Sequence, residues 1–437
     1  MSKQLRILAP EINIEKRNSY AYPNYRLDRI PQQANGDTVT LLAAGGNNSL
    51  FEIPAVVGNM NRSILAFDMN ITAQAADNVN AFRHLIPQIR HIQYYNRNNV
   101  MLADITDFDR FSKIILASDS TLEDLLTNSG EYPLVRSNAL RNNVNAERPI
   151  SADASLHYTE QMYVQNAGDN VAITVRYRIP MGIFKNTFFA LNQDIYFGDI
   201  TYLRIYYQSA GNVGFDSDDA AYTNPGALVG PITLTNLQFY HAVETNEAMI
   251  ATIKSTFVNT GLSYLIDWVH VDNTSLTGTS QSFYVKYGRT HGRTLKRIYW
   301  CQTPTAPATP NLLYETAIGD GVNIVSFYTR LDGQRIIQYD IQCTEANGNQ
   351  DYMLMKDKMK GNSYQNIDIY KYNWFWCESF DGLKLIEHED TLETGLSLDV
   401  EKKYDVDLRT ANTPFTYYIF AVTQKELLIG PMGITVT

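Results

Sequence analysis

Several residue groups in this 437-residue chain have the types that chemistry needs, and their spacing decides what they can do. Asp216, Asp218 and Asp219 look like the start of a calcium loop. Such a loop needs a further oxygen ligand and a glycine two to three residues after Asp218, where Ala220 and Ala221 stand. A solvated acidic loop is expected instead. The run Glu387-His388-Glu389-Asp390 offers hard and borderline metal ligands, but neighbours on one strand or turn point in different directions and rarely converge. It reads as a solvated charged face. The seven histidines, His84, His91, His157, His241, His270, His291 and His388, show no paired spacing that would set two on one metal. Trp374, Phe375 and Trp376 could stack on a sugar ring, although consecutive aromatics in a strand more often serve a core or an interface.

Motifs that would activate a nucleophile or cradle a phosphate are missing. The chain has no G-x-S-x-G elbow, no G-x-x-x-x-G-K-[ST] and no H-E-x-x-H, and Gly319-Asp320-Gly321 lacks the third glycine of a dinucleotide fingerprint and reads as a hairpin turn. The expectation is a protein that is not an enzyme, with no catalytic, cofactor-binding or metal residues and no cofactor. One enzymatic class escapes a motif search: a β-rich glycosidase needs only two carboxylates roughly 5–9 Å apart, and 46 acidic residues offer many pairs.

Acidic residues outnumber the 36 basic ones, and a net charge of −10 disfavours binding to a phosphate backbone over the whole surface. The first 29 residues differ: Lys3, Arg6, Lys16, Arg17, Arg26 and Arg29 face only Glu11, Glu15 and Asp28. Pro10 and Pro23 prevent a long helix there, so residues 1–29 are expected to form an arm able to meet something anionic. The three cysteines, Cys301, Cys343 and Cys377, are odd in number and far apart, which suggests reduced buried thiols rather than a disulfide framework or a zinc knuckle. No apolar run suits a signal peptide or a membrane span. Synthesis and folding in cytosol-like conditions are expected, with the sequons at Asn47, Asn61, Asn70 and Asn273 unused.

The elements that would position any site are strands. Leu65, Phe67, Met69 and Ile71 alternate with Ala66, Asp68 and Asn70, and Ile173, Val175, Tyr177 and Ile179 alternate with Thr174, Arg176 and Arg178. Period-two alternation predicts half-buried strands, and it returns at Phe283, Val285 and Tyr287 and at Ile337, Tyr339 and Ile341. Helical spacing is confined to short stretches: Phe108, Phe111, Ile114 and Ile115, then Met249, Ile250, Ile253 and Phe257, with Ser120-Thr121-Leu122-Glu123 resembling a capping box. Too few helices exist for βαβ crossovers, so an all-β chain with helical loop insertions is expected. A Gly-, Asp- and Asn-rich segment at 210–231 marks a linker between a first domain, 30–209, and a second, 232–437, and the Pro-rich stretch Thr303–Asn311 marks a loop within the second.

Three segments, in order, resemble one family. Phe82–Leu116 is similar to an early strand leading into a helical insertion, Ile179–Tyr207 (IPMGIFKN followed later by ITYLRIYY) to the end of a first jelly roll, and Thr413–Val436 (TPFTYYIFAVTQKELLIGPMGITV) to the closing strands of a second. They resemble double jelly-roll major capsid proteins of tailless icosahedral double-stranded DNA viruses, the lineage of virophages, polinton-like viruses and adenovirus hexon. Thr423-Gln424-Lys425-Glu426 departs from the Tyr-Asn pair that many relatives carry there. The resemblance implies two tandem eight-stranded jelly-roll sandwiches. It also implies a structural protein of the virion that forms pseudo-hexagonal homotrimers and tiles with neighbouring capsomers. Penton and minor capsid proteins are implied partners, and an internal membrane or the genome is a candidate partner for the N-terminal arm. The competing expectation is a β-sandwich carbohydrate-binding or adhesion protein, which would more naturally carry a signal peptide and disulfides.

Overall fold

The computed structural model describes residues 24–33, 36–42, 45–71, 78–82, 86, 88–119, 161–165, 173–217, 225–227, 231–307, 313, 324–343, 350–356, 358, 374–380, 395–410 and 414–437. The first half of the chain contributes β1 (Tyr25–Pro31), β2 (Val39–Leu41), β3 (Asn48–Ile53), β4 (Gly58–Ile71), β5 (Asn78–Phe82), β6 (Ile89–Asn96), β7 (Met101–Ile105), helix α1 (Phe108–Asp119), β8 (Gln161–Gln165), β9 (Ile173–Pro180), β10 (Thr201–Tyr207), β11 (Gly214–Ser217), β12 (Pro225–Ala227) and β13 (Ile232–Glu244). Helix α2 (Glu247–Asn259) follows, and then β14 (Leu262–Leu276), β15 (Ser280–Tyr287), β16 (Thr294–Pro304), β17 (Ile324–Leu331), β18 (Gln334–Arg335), β19 (Ile341–Gln342), helix α3 (Gln350–Lys356), β20 (Trp376–Ser379), β21 (Leu396–Ser397), β22 (Lys402–Thr410), β23 (Phe415–Gly430) and β24 (Gly433–Val436).

Two sandwiches result, each made of two antiparallel sheets. In the first, a sheet of order β1-β13-β4-β9 faces one of order β3-β10-β6-β7. Their inner faces meet through contacts such as Phe51 against Phe239, ring centroids 5.9 Å apart. In the second, β14-β23-β16-β20 faces β15-β22-β17-β19, joined through Trp300, which packs edge-on against Phe283 at 5.6 Å and Phe327 at 5.2 Å. The strand order is the same in both, the eight-stranded jelly roll twice over. Strands β5, β8, β11 and β12 pair separately in a small sheet of order β12-β11-β5-β8.

Alternation does what period-two chemistry requires. In β15 the burial pattern is strictly alternating, with Phe283, Val285 and Tyr287 inward. In β4, Leu65, Phe67 and Met69 are buried and paired in register with Ile179, Tyr177 and Val175 of β9. Each fully buried aromatic or aliphatic side chain contributes about 1.5–3 kcal/mol of transfer free energy.

The pairing also corrects several expectations. Tyr25–Pro31 pairs with β13 from Tyr25↔Glu244 to Pro31↔Gln238, so residues 25–29 are sheet and not arm. Strand β13, placed in the second domain by its position after the Gly-rich segment, lies between β1 and β4 of the first sandwich. The chain changes sandwich at α2, which is capped by the Asn246 side chain accepting from Ala248 N and Met249 N. The segment 210–231 is not a linker throughout, because β11 and β12 within it pair with each other, and β11 also pairs with β5. Gly, Asp and Asn suit hairpin ends as well as linkers, and composition alone does not separate the two. The alternation from Ile337 to Ile341 does not make a strand: β17 turns at Asp332-Gly333 into the two-residue β18, and Ile336 N donates to Thr329 O, so only Ile341–Gln342 rejoins the sheet. Arg335, stacked 3.9 Å over Tyr328 and paired with Asp340 at 3.0 Å, holds that bend. The capping-box residues 120–123 and residues 1–23 lie outside the described residues.

Candidate functional site

The groups that looked chemical in sequence resolve into structure. Of the acidic clusters, only Asp216 lies among the described residues, within β11; Asp218, Asp219 and 387–390 lie outside them, as do Gly319–Gly321, His84 and His157. No group of three or more metal-ligating side chains converges among the described residues. Cys301, Cys343 and Cys377 are buried and none is in a disulfide, and burial pushes the Cys377 thiol up to about 12. Trp374, Phe375 and Trp376 are at most 1% exposed. They are therefore core, not a sugar platform. Trp374 donates to Asp351 at 3.0 Å and Trp376 to Glu378 at 2.9 Å, which satisfies both indole N–H groups.

One pair resembles an activated nucleophile. Ser63 Oγ lies 3.1 Å from His241 Nδ1, with Asp28 opposite His241 in the sheet register. The hydrogen bonds exclude that role. Ser63 Oγ donates its only proton to Asn59 O at 2.9 Å and accepts from Ala242 N at 3.1 Å, so His241 must donate from Nδ1 rather than abstract. Ser63 is fully buried, and burial pushes the His241 imidazole down to about 4. Its Nε2 faces Gly58, where a Cβ would stand 2.2 Å away. His241 is a neutral strut between β4 and β13.

Sequence spacing gave no sign that His270 and His291 meet. Their rings cross at 75° with centroids 5.0 Å apart. His270 Nε2 donates to His291 O at 2.7 Å, and Thr423 Oγ1 donates to the same carbonyl at 2.8 Å. Together the two bonds fix the β15–β16 turn against the neighbouring strands β14 and β23. With Nε2 committed to a carbonyl, the pair is a staple and not a ligand set.

The arrangement that carries structural consequence is the junction between the sandwiches. The sheet β14-β23-β16-β20 is covered on both faces, by its own sandwich partner on one and by α1 on the other. Phe111 of α1 packs on Phe420 of β23 at 5.4 Å, and the Arg110 guanidinium lies 4.3 Å over the Tyr418 ring. Two-sided burial explains why β16 and the middle of β23 are nearly continuous in buried residues instead of alternating. At the end of α1 sits a closed polar cluster. Asp119 Oδ1 accepts from Arg297 Nη1 at 3.0 Å, while Asp119 Oδ2 accepts from Tyr299 OH at 3.0 Å and from Asn186 Nδ2 at 2.8 Å. The Asp119 and Arg297 side chains are 6% and 2% exposed. Burial, then the Asp119 charge, pushes the Tyr299 phenol far up, so it stays a donor. Four side chains from α1, the loop after β9 and β16 thus lock one sandwich on the other.

A second aromatic array covers the outer face of the β3-β10-β6-β7 sheet. Tyr95 stacks on Tyr202 at 5.5 Å, His91 on Tyr206 at 5.0 Å, and Arg204 lies 5.6 Å over Tyr95. Aromatic and arginine side chains together are the composition of interface centres.

No protein-family model matches this chain, and no curated protein matches it in sequence. Solved structures do match it in shape. The cryo-EM structure of the Sputnik virophage aligns with a TM-score of 0.56 at 12% identity, over 96% of this chain and 89% of that one. PBCV-1 VP54, as fitted into a Sputnik reconstruction, gives 0.55 at 11% identity over 96% and 98% of the two chains. The mavirus major capsid protein gives 0.54 at 10% identity over 96% and 92%. The fold is the double jelly roll of these proteins, along almost the entire length.

Proposed function

We propose that this chain is a structural major capsid protein that forms homotrimers and, through them, an icosahedral shell. The observation that carries the reading is the locked pair of jelly rolls with one strand order, matched over 96% of the chain by viral capsid proteins. A shell subunit works by geometry, so it needs a rigid junction more than a cleft. The closed Asp119–Arg297–Tyr299–Asn186 cluster and the Phe111–Phe420 contact supply that rigidity. The aromatic face at Tyr95, Tyr202 and Tyr206 suits contacts between subunits, which in obligate assemblies bury about 2,000–5,000 Å².

In this reading the first jelly roll spans 24–244 and the second 262–437, with α2 between them. The basic residues 1–23 form an arm that ties capsomers to neighbours, to penton or minor capsid proteins, or to an anionic layer beneath. The protein is made in host cytoplasm and resides in the virion. Light scattering on the purified chain should give three times 49.6 kDa, and electron microscopy should show shells or hexagonal arrays. A monomer that binds or cleaves glycans would overturn the proposal. Deleting residues 1–23 should leave trimers and abolish shells, as counted by sedimentation.

A further inference from the structure

A buried carboxylate stands where β1, β4 and the second sandwich meet. Asp194, in the connection between β9 and β10, is 3% exposed. Its Oδ1 accepts from Tyr25 OH of β1 at 2.6 Å and from Asn59 Nδ2 of β4 at 3.3 Å. Its backbone carbonyl accepts from Tyr264 OH of β14, in the second sandwich, at 3.1 Å. The other carboxylate oxygen, Oδ2, is buried and accepts no hydrogen bond among the described residues, where Asp194 also forms no ion pair. Arg62 lies instead over the Tyr25 ring, 4.9 Å from its centroid.

Asn59 shares this state. Its Nδ2 faces Tyr25 OH at 3.3 Å, Asn192 Oδ1 at 3.2 Å and Asp194 Oδ1, which fixes the amide orientation, because the reverse would set oxygen against two oxygens. Its Oδ1 is therefore an acceptor, and it too is buried without a hydrogen bond among the described residues. The cluster has no proton left for either oxygen: the phenol proton of Tyr25 goes to Asp194, and two amide protons already serve three acceptors. Glu244 shows how the fold otherwise compensates a buried carboxylate. Its Oε1 accepts from the backbone N–H groups of Asn24, Thr245 and Asn246 at 3.0, 2.9 and 2.7 Å, beside the positive end of α2. Asp194 receives no backbone N–H of that kind among the described residues.

A water molecule can donate to such oxygens but brings no charge, and an uncompensated buried carboxylate is costly. A hard cation meets both demands, since carboxylate and amide oxygens are its ordinary ligands. We propose that this cluster binds a hard, oxygen-ligated metal cation, with Asp194 Oδ2 and Asn59 Oδ1 as its protein ligands and water completing the shell. Calcium and sodium share this chemistry; magnesium, which demands near-ideal octahedral geometry, fits it less well. A single carboxylate sets calcium affinity at the weak end, a Kd of about 10⁻⁴–10⁻³ M. The bound ion ties β4 to β1 through Tyr25 and to β14 through the Asp194 carbonyl, at a second point of the junction between the sandwiches. The site follows from the chain's own contacts and does not depend on the capsid reading. Its two ligands are 135 positions apart, so no sequence motif marks it.

For the test, full-length protein is stripped with a chelator into choline chloride and titrated with calcium chloride or sodium chloride at constant ionic strength, with melting followed by circular dichroism. Terbium, which takes the same oxygen ligands, gives a second readout. Tyr25 and Tyr264 both bond Asp194, so light absorbed by their rings passes to a terbium ion bound there. The expected result is a saturable rise in melting temperature, about 3–6 °C at roughly ten times Kd, and tyrosine-sensitised terbium emission that the same ion displaces. Asp194→Asn keeps the shape and removes the charge; it should lose the rise and weaken terbium binding by about tenfold or more, because ligand charge sets the affinity. Asp399→Asn, a control at a side chain 70% exposed, should behave as wild type. A response to calcium, sodium or both that Asp194→Asn abolishes supports the site and names the ion. A response to neither, or an equal response in Asp194→Asn, overturns it. Should Asp194→Asn misfold, hydrogen exchange of the wild type with and without the ion decides: slowing centred on residues 57–62 and 192–196 supports the site, and slowing elsewhere or nowhere overturns it.

Discussion

Replacing Arg297 with methionine tests the junction directly. The guanidinium is 2% exposed and donates to Asp119 Oδ1 at 3.0 Å and to Tyr299 OH at 2.7 Å, so its loss leaves a carboxylate that is 6% exposed without its cation. Breaking one side of a buried ion pair costs about 3–5 kcal/mol, most of it the penalty of the stranded charge. At roughly 2–4 °C per kcal/mol for a domain of this size, the melting temperature should fall by about 6–20 °C. Removing the charge as well should reverse most of that loss. In the double variant Asp119→Leu with Arg297→Met, Tyr299 OH and Asn186 Nδ2 still bond each other at 3.1 Å, and apolar replacements of similar volume are often neutral or stabilising. Urea unfolding of wild type, both single variants and the double variant gives the coupling energy, and hydrogen exchange in α1 and β16 locates the loss. A single-variant loss below about 1 kcal/mol, the range of a solvated surface pair, would refute the claim that this cluster locks the sandwiches.

Three further outcomes follow from the same contacts. His241 and His270 are held at about 4, against an ordinary 6.5, in both cases chiefly by burial. Their contribution to stability is therefore complete above pH 6.5 and is lost as pH falls from 6.5 towards 4, by about 1.4 kcal/mol per pH unit for each. Urea midpoints between pH 7.5 and 4.5 should show that slope, and His241→Gln should remove its own share; an unchanged slope would contradict the assignment. Gly58→Ala sets a Cβ 2.2 Å from His241 Nε2 and 3.0 Å from Ala242 O, and overpacking of this kind should cost about 1–3 kcal/mol in the same assay. Trp300→Ala empties the centre of the second sandwich and removes the donor to Tyr404 OH; a loss of about 3–5 kcal/mol is expected by calorimetry, and a loss under 1 kcal/mol would mean that the core does not rest on it.

Local chemistry was legible wherever it is set within a few residues. The alternation in Leu65–Ile71 and Phe283–Tyr287 fixed strands and their inward faces, and the apolar spacing at Phe108–Ile115 and Met249–Phe257 fixed α1 and α2, because backbone geometry alone converts period two or 3.6 into a face. The resemblance of three ordered segments extended this to two jelly rolls. What the sequence left undecided is which face meets which. Tyr25 finds Glu244 across 218 intervening residues, β13 returns to the first sandwich after an intervening hairpin, and Arg297 meets Asp119 only because α1 lies across a sheet that already has a partner on its other side. Alternation marks a side chain as inward but names no opposite number, and a strand covered twice loses the alternation altogether. Those choices belong to the packing of distant surfaces, where the free energy of burial depends on the complete arrangement and not on any window of the chain.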